Sequence, residues 1–575
     1  MQKLIILLFS ILITTGIFGQ KTKKDTLKTE EILVVKPYTP KISDAFKITT
    51  SPILPQSDLF KKEAVSYSIF SIPVASTFTP SKGKAKGITR APKERLFENY
   101  ISAGFGNFTS PSFEAYIHAG DNRYNDFGIF INHYSSEGGI KDLVLNDNFS
   151  DTKIDLYYKQ FERNYNWQVN GGVQRQLYNY YGLPKTISFN DNVISSLNEQ
   201  QLYKAVYLGG KINFEESFFK GATAEATNFS DDYNSNEIRF LVKPKIEFPI
   251  STELLNATFL ADLISGKFEQ TYLTSEKNKY NFLNLGVNPN FEVLREKFTL
   301  NLGAKFYYSR DLETKTNTYY TYPNVTASYK VIEDVLIITA GVTGDLEQNS
   351  YKNFAEENPY VSPTLNIFQT DQQYRAFLGT KGKLASNIGY NFNISHSNEK
   401  NKALYIQNPR LTEGTIILNN AYEAGNSFNV VYDNIKTLGA FAEVSIDASK
   451  EFNFSGTLNY YNYTTENLLE AWNLPTITAT VNANYKYKSW YAGAKLFYRS
   501  ETKDLFQSGI EEIAPIIVKN KAYIDLNLNG GYIFSNRLTA FAKINNALGT
   551  KYESYLNYQV QPLQISGGIT YKFDL

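Results

Sequence analysis

The chain has 575 residues, of which 42% are hydrophobic and 15% aromatic, and its 58 basic residues balance 57 acidic ones. The balanced charge argues against a nucleic-acid partner, and the lack of cysteine excludes disulfides, thiolate metal sites and cysteine nucleophiles. A chain of this length needs either several domains or one large closed sheet.

Residues 1–19 are predicted to be a secretory signal peptide. Lys3 precedes an apolar run from Leu4 to Ile13, and small, turn-prone residues continue to Gly19. This order of regions is typical of export signals, and the apolar run is too short for a membrane span. Beyond it, no run of about 18 apolar residues occurs, so the sequence predicts no transmembrane helix.

Residues 20–95 are predicted to form an irregular N-terminal arm. Seven of the 19 prolines lie between residues 21 and 95, and no helical or strand period persists there. Since proline lacks an N–H donor and fixes φ, we expect neither a packed helix nor a packed sheet. We place the arm in the periplasm or inside the lumen of the domain that follows.

Residues 96–575 alternate between apolar and polar side chains. In the segment ITATVNANYKYK, residues 477–488, the odd positions are apolar or aromatic and the even ones are Thr, Asn or Lys. The final segment, residues 563–575, sorts its side chains in the same way. A period of two with this separation indicates strands that have one apolar and one polar face.

Three features indicate that these strands form a transmembrane barrel. Aromatic residues gather toward strand ends, as they do at the two interfaces of a bilayer. Short turns such as 331–334 and 534–537 alternate with long loops such as 347–370 and 499–520. The segments number about 22. The predicted fold class is all-β, an outer-membrane, antiparallel up-and-down barrel over residues 96–575.

Two segments carry a resemblance to a known family. DQQYRAFLGTKGKLASNIGYNFNIS, residues 371–395, and FAKINNALGTKYESY, residues 541–555, resemble stretches in the barrel of TonB-dependent outer-membrane receptors. In the second segment, Asn546, Ala547 and Leu548 stand where the family has its usual Asn-Leu-Phe, and Tyr552 stands in the place of its Tyr. The resemblance implies the barrel architecture. It also leads us to expect transport activity.

The resemblance stops before the barrel. Receptors of this family carry a folded plug domain, and residues 20–95 match none of its motifs, so we predict a barrel without a conventional plug. A short stretch is nonetheless similar to the box that pairs edge to edge with TonB: Glu31, Ile32, Leu33, Val34 and Val35. The alternative is a β-prone stretch that docks on this protein's own wall or on another subunit.

The loop between residues 175 and 200 carries three candidate contact residues, Tyr178, Tyr180 and Tyr181. Exposed aromatic side chains of this kind can stack on a ligand or anchor a protein partner. They can equally belong to the outer aromatic girdle of the barrel, and the sequence leaves both interpretations open.

Catalytic chemistry is not expected. The chain has only three histidines, and of these His118 and His133 could lie on neighbouring strands as polar wall residues. The loop at 230–237, SDDYNSNE, offers oxygen atoms but lacks the spacing of a calcium loop, so we interpret it as a solvated loop. We predict no enzyme, no metal site and no cofactor.

The function that the sequence favours is a non-enzymatic scaffold or partner-binding subunit of an outer-membrane assembly. The alternative is uptake of a nutrient, either coupled to TonB or passive. Both place the protein in the outer membrane of a Gram-negative bacterium, in contact with outer-membrane lipid. They differ in the partner, which is another envelope protein in the first case and TonB with a nutrient in the second.

Overall fold

The computed structural model describes residues 96–575 except 121–122, 251–252, 419 and 510–513. The signal peptide, the N-terminal arm and the TonB-box-like residues Glu31, Ile32, Leu33, Val34 and Val35 lie outside the described residues. Within the described ranges, no helix combines the length and apolar character required to cross a membrane.

Twenty-two strands of the described chain form one antiparallel sheet. Their bounds are β1 Asn99–Gly106, β2 Ser110–Ala119, β3 Asn125–Ser136, β4 Phe149–Phe161, β5 Tyr165–Asn179, β6 Gln200–Phe214, β7 Phe219–Ser230, β8 Asn236–Ile250, β9 Glu253–Phe268, β10 Asn278–Leu294, β11 Phe298–Asp311, β12 Asn317–Ile332, β13 Leu336–Glu347, β14 Thr370–Ala385, β15 Ile388–Gln407, β16 Phe428–Asp447, β17 Phe452–Thr465, β18 Ile477–Tyr487, β19 Trp490–Arg499, β22 Tyr523–Ile533, β23 Leu538–Asn545 and β26 Gln564–Phe573.

The loops contain the remaining elements. Two short hairpins pair β20 with β21 and β24 with β25. The bounds in these loops are α1 Asp191–Ser196, α2 Tyr351–Glu357, a 3₁₀ turn Ala421–Glu423, β20 Thr502–Phe506, β21 Ile516–Asn520, β24 Glu553–Tyr555 and β25 Tyr558–Gln559.

The sheet closes into a barrel because its first and last strands pair with each other. The register of β1 on β26 runs from Asn99 opposite Phe573 to Gly106 opposite Ser566. Closure gives every strand two neighbours, so no row of backbone donors and acceptors is left exposed to lipid. The predicted up-and-down barrel of about 22 strands is confirmed.

One face of each strand is apolar and points outward. Ile524 is 43% exposed and Ile569 is 55% exposed, on strands whose alternate residues are polar. Large aliphatic side chains left this accessible on one face of a closed sheet require a lipid surrounding. The bulky aromatic side chains of Phe218, Trp490 and Phe534 are also exposed and lie at the ends of strands, as expected of an interfacial girdle.

On the polar face, aromatic rings lie over glycines of the neighbouring strand. Gly128 is directly opposite Tyr157, and a methyl group added at Gly128 would lie 2.4 Å from that ring. The same arrangement occurs at Gly286 with Tyr307 and at Gly531 with Tyr491. A methyl group added at these glycines would lie 2.6 and 2.5 Å from the respective ring. The ring therefore fills the space that a side chain would take, and it fixes the register between the two strands.

Connections at the two ends of the barrel differ in length. At one end, here the turn end, β4 connects to β5 through residues 162–164 and β18 connects to β19 through residues 488–489. At the other, the loop end, connections include 180–199, 348–369 and 500–522. In outer-membrane barrels the long loops face outward, which orients the loop end toward the cell exterior.

Candidate ligand-binding cap at the loop end

Six loops at the loop end pack together, and we call them the cap: residues 180–199, 348–369, 408–427, 466–476, 500–522 and 546–563. Most of them contribute to one hydrophobic cluster, which also includes ends of barrel strands. Its buried members from the loops include Tyr181, Leu197, Tyr351, Val361, Leu365, Ala424 and Tyr558. The cap is thus a packed layer with its own core.

Tyr180 and Tyr181 lie inside this core. Tyr180 is 1% exposed, and its hydroxyl donates to the carbonyl of Val361 at 2.8 Å. Tyr181 is 8% exposed, and its hydroxyl donates to the carbonyl of Gln559 at 3.0 Å. Tyr178, at the end of β5, packs against the same cluster. Tyr180 and Tyr181 therefore join loops to one another, whereas Tyr178 packs against the cluster from the barrel wall. Direct contact of the three tyrosines with a ligand or partner stays a prediction.

Tyr558 is the centre of the aromatic packing. Its ring stacks on that of Tyr360 with centroids 3.6 Å apart, and it meets the ring of Tyr181 edge-on at 4.9 Å. Gly182 permits this approach, because a methyl group there would lie 2.6 Å from the Tyr558 ring. The hydroxyl of Tyr558 donates to the carbonyl of Asn426, so three other loops contact this one side chain.

Two buried carboxylates hold the short helix α2 in place. The hydroxyl of Tyr351 donates to Asp231 at 2.7 Å, and the backbone N–H of Tyr351 donates to Glu237 at 2.6 Å. Ser350 caps the helix by accepting the N–H of Asn353 at 3.1 Å. Because Asp231 directly follows β7 and Glu237 is the second residue of β8, these bonds fasten the 348–369 loop to the barrel wall.

The loop at 230–237 is not simply solvated, and that prediction is wrong for its two anchoring carboxylates. Asp231 is 7% exposed and Glu237 is 3% exposed. Asp231 also accepts the backbone N–H groups of Tyr233 and Ser235, at 3.0 and 2.8 Å. Burial raises the pKa of the Asp231 carboxyl, while the hydrogen bonds from Tyr351 and Ser235 oppose the rise.

Asp504, in β20, joins its hairpin to two further segments. Its carboxylate accepts the N–H of Gln407 at 2.9 Å and the side-chain amide of Asn473 at 2.8 Å. Asn473 in turn donates to the carbonyl of Tyr405 at 2.9 Å. Asp504 is fully buried, and burial raises its pKa from 3.8 to about 6. This contact links the β20–β21 hairpin to β15 and to the 466–476 loop.

A basic cavity opens between three loops of the cap. It has a volume of about 300 Å³, and its lining includes Lys185, Lys519, Lys521, Lys551 and the single acidic residue Glu553. Lys185 pairs with Glu553 at 2.8 Å, and Lys519 pairs with Glu501 at 2.8 Å. Among the described residues, Lys521 and Lys551 have no ion-pair partner. The cavity therefore favours a negatively charged occupant.

The two strand histidines do not form a site. His118 contacts Asp126 at 2.7 Å, whereas His133 contacts Thr152 at 2.8 Å. The register places His133 opposite Phe113, on the apolar side of the sheet, and His118 opposite Gly128, on the polar side. Elsewhere in the described chain, no group of three or more His, Asp or Glu residues is arranged to hold a metal ion.

The lysines of the basic cavity were not among the predicted site residues. Lys185 lies more than three hundred residues before Lys519, Lys521 and Lys551 in the sequence. The nearest local signals are the short stretches VKNKAY and GTKYE, which look like ordinary polar loop sequence. Only the closure of the barrel brings these loops together.

Solved outer-membrane receptors share the fold of this chain. No protein-family model and no curated protein matches it. The FrpB iron transporter from Neisseria meningitidis (F3-3 variant) superimposes with a TM-score of 0.63 at 10% identity, covering 84% of this chain and 82% of FrpB. The pyoverdine receptor FpvA from Pseudomonas aeruginosa PAO1 gives 0.60 at 11% identity, covering 84% and 80%. A mutant of the ferric enterobactin receptor PfeA from Pseudomonas aeruginosa gives 0.58 at 11%, covering 83% and 80%.

These comparisons confirm the resemblance to TonB-dependent receptors at the level of the fold. Together with the exposed aliphatic exterior, they place the protein in the outer membrane as a receptor-like β-barrel. They give no support to a scaffold subunit, which was the first of the two functions that the sequence suggested.

Proposed function

We propose that this protein is an outer-membrane receptor that binds a negatively charged ligand at its cap and passes it through the barrel. The observation that carries the proposal is a closed 22-stranded barrel whose outer loops pack into one layer. The printed names of the structural neighbours describe an iron transporter, a pyoverdine receptor and a ferric enterobactin receptor. Fold likeness alone does not transfer a ligand, so the ligand class is argued from the cap.

The basic cavity supports the choice of an anionic ligand. Four lysines face one carboxylate in its lining, and two of the lysines are not neutralised by described residues. Lysine side chains on a rigid rim attract an anion over several ångströms and can release it again, because each contact is solvated. A metal ion carried by an anionic chelator is one cargo of this kind. The proposed activity needs no chemical change in the ligand, and we propose that the protein is not an enzyme.

Energy for release would come through the N-terminal arm. We propose that the segment Glu31, Ile32, Leu33, Val34 and Val35 adds as a strand to TonB in the periplasm, since strand addition needs only an unpaired backbone with small apolar side chains. Passive uptake is the competing version of the same function. Removing the five residues distinguishes the two.

A competitive growth experiment tests the proposal. A strain that lacks the protein is grown against its parent in media limited in turn for iron, for copper and for organic nutrients. We expect a defect in at least one medium, which the intact gene restores. Equal growth in all media would contradict uptake.

Two variants locate the activity within the chain. K521Q/K551Q removes two unpaired charges from the cavity, and we expect it to restore growth poorly when the nutrient is limiting. K315Q is the matched control, because Lys315 is an exposed loop lysine outside the cap. Deletion of residues 31–35 should abolish growth if transport is energised, and it should leave growth unchanged if transport is passive.

A further inference from the structure

A continuous row of polar side chains crosses the exterior of the barrel from β3 to β10. Each member lies directly opposite the next in the strand register, and paired residues share a face of the sheet. The row consists of His133, Thr152, Arg175, Lys204, Ser230, Asn236, Lys267 and Lys279. We call it the exterior basic row, because it contains four permanently basic residues and no acidic one.

Two cross-strand pairs in this row carry the same charge. Arg175 on β5 lies opposite Lys204 on β6, and Lys267 on β9 lies opposite Lys279 on β10. All four side chains are exposed. Like charges directly opposite each other on a sheet destabilise it. The row therefore works against the barrel's own stability unless an external anion offsets the repulsion.

Internal carboxylates offset only part of this charge. Lys204 pairs with Asp232 at 2.9 Å, and Lys267 pairs with Glu269 at 3.0 Å. Glu269 is shared, since Lys277 also contacts it at 2.8 Å. Within the part of the chain that the structure describes, Arg175 and Lys279 have no carboxylate partner.

The β20–β21 hairpin shows how a like-charged pair is neutralised elsewhere in the same chain. Lys503 lies opposite Lys519 between β20 and β21, and each has a carboxylate of its own. Lys503 pairs with Glu470 at 2.5 Å, and Lys519 pairs with Glu501 at 2.8 Å. One member of each like-charged pair in the exterior basic row lacks this compensation.

The row begins where lipid contact ends. Val173 and Val206 lie two residues from Arg175 and Lys204 on the same face, and they are 46% and 55% exposed. Two strand residues span roughly 7 Å, which is the distance from the hydrocarbon edge into the headgroup region. Because the strands of a barrel are tilted, the row rises from this boundary toward the exterior as it reaches β9 and β10.

We propose that the exterior basic row binds the phosphate groups of a phosphorylated lipid in the outer leaflet, with Arg175 and Lys204 at its centre. The planar guanidinium of Arg175 can donate two hydrogen bonds to one phosphate, and the ammonium of Lys204 adds a point charge beside it. Clusters of basic residues next to a hydrophobic surface recognise lipid headgroups in this way. The acyl chains of the same lipid would lie on the aliphatic surface around Val173 and Val206.

The test uses the full-length protein in phosphatidylcholine vesicles, with and without bisphosphorylated lipid A. Native mass spectrometry counts the lipid A that the protein retains after release into detergent. We expect R175Q/K204Q to bind lipid A about 30-fold more weakly than the wild type, the loss of two basic contacts at a lipid surface. K436Q is the control, because exposed Lys436 on β16 lies opposite Asn398 and Thr464, without a like charge.

A thermal unfolding series separates lipid binding from a structural effect. In phosphatidylcholine alone, R175Q/K204Q should unfold at or above the wild-type temperature, because a repulsive pair is gone. Adding lipid A should raise the unfolding temperature of the wild type more than that of the variant. Dephosphorylated lipid A should abolish this difference. Equal retention of lipid A by the wild type and variant, or a lower unfolding temperature of the variant in both membranes, would overturn the proposal. A difference that persists with dephosphorylated lipid would also overturn it.

Discussion

Individual buried side chains determine how the cap is held together. Tyr180, Tyr181 and Tyr558 each donate a hydroxyl to a backbone carbonyl of another loop. A buried tyrosine that meets its hydrogen-bonding need in this way contributes both packing and a polar anchor. The sequence predicted that the 175–200 loop carries notable aromatics. It could not predict their burial, because the loops that cover them are distant in the chain.

Asp504 makes the cap sensitive to pH. Its pKa is raised from 3.8 to about 6 in the folded cap, so the folded state binds a proton more tightly than the unfolded chain does. The resulting stabilisation is complete below about pH 3.8 and is lost as the pH rises through about 6. We expect the cap to lose up to about 3 kcal/mol of local stability over this range.

Hydrogen exchange of the β20–β21 hairpin, corrected for intrinsic rates, measures this effect across the same pH range. D504N cannot ionise, and it should remove this part of the pH dependence while the rest of the barrel exchanges as in the wild type. The expectation fails if the exchange rate of the hairpin changes with pH in the same way in the variant and in the wild type.

At the scale of elements, strands and loop elements differ in how well the sequence predicted them. The alternating segments 477–488 and 563–575 correspond to the observed strands β18 Ile477–Tyr487 and β26 Gln564–Phe573. Strands that separate lipid from water must sort every residue, so their period is strong. The helices α1 and α2 have only six and seven residues, and tertiary contacts rather than periodicity stabilise them.

Glycines opposite aromatic rings are expected to be essential to strand pairing. G128A would place a methyl group 2.4 Å from the Tyr157 ring and force that ring away from its bonds to Asp126 and Tyr116. Overpacking of this kind costs about 1–3 kcal/mol. We expect G128A in vesicles to unfold at a lower temperature than the wild type, as measured by circular dichroism.

Gly456, on β17, is the matched control for this change. The nearest atoms to a methyl group at that position are 3.9 and 4.0 Å away, which is ordinary van der Waals contact. G456A should therefore unfold close to the wild type. Equal losses in the two variants would show that strand glycines matter for backbone conformation and not for the rings that cover them.

At the scale of the whole molecule, stability depends on closure by β26. Deleting residues 564–575 removes this strand and leaves β1 and β23 each with an unpaired edge in lipid. Unsatisfied backbone groups in hydrocarbon cost several kcal/mol each, roughly, so no compact barrel should form. The measurement is the shift in electrophoretic mobility between heated and unheated samples.

Deleting only Leu575, which lies beyond β26, controls for the loss of chain length. That variant should keep the mobility shift of the wild type. A mobility shift that survives the longer deletion would mean that the barrel can close with fewer strands than the structure shows.

The sequence by itself determined the barrel and its place in a membrane. The barrel wall is one strand thick, with lipid on one side and a polar lumen on the other. Side chains therefore alternate between apolar and polar along the strands, from Ile101 in the first to Phe573 in the last. Tertiary structure alone decided the chemistry of the surfaces. The basic cavity and the exterior basic row each join residues from several strands or loops, and their positions follow from register and closure, which no local pattern specifies.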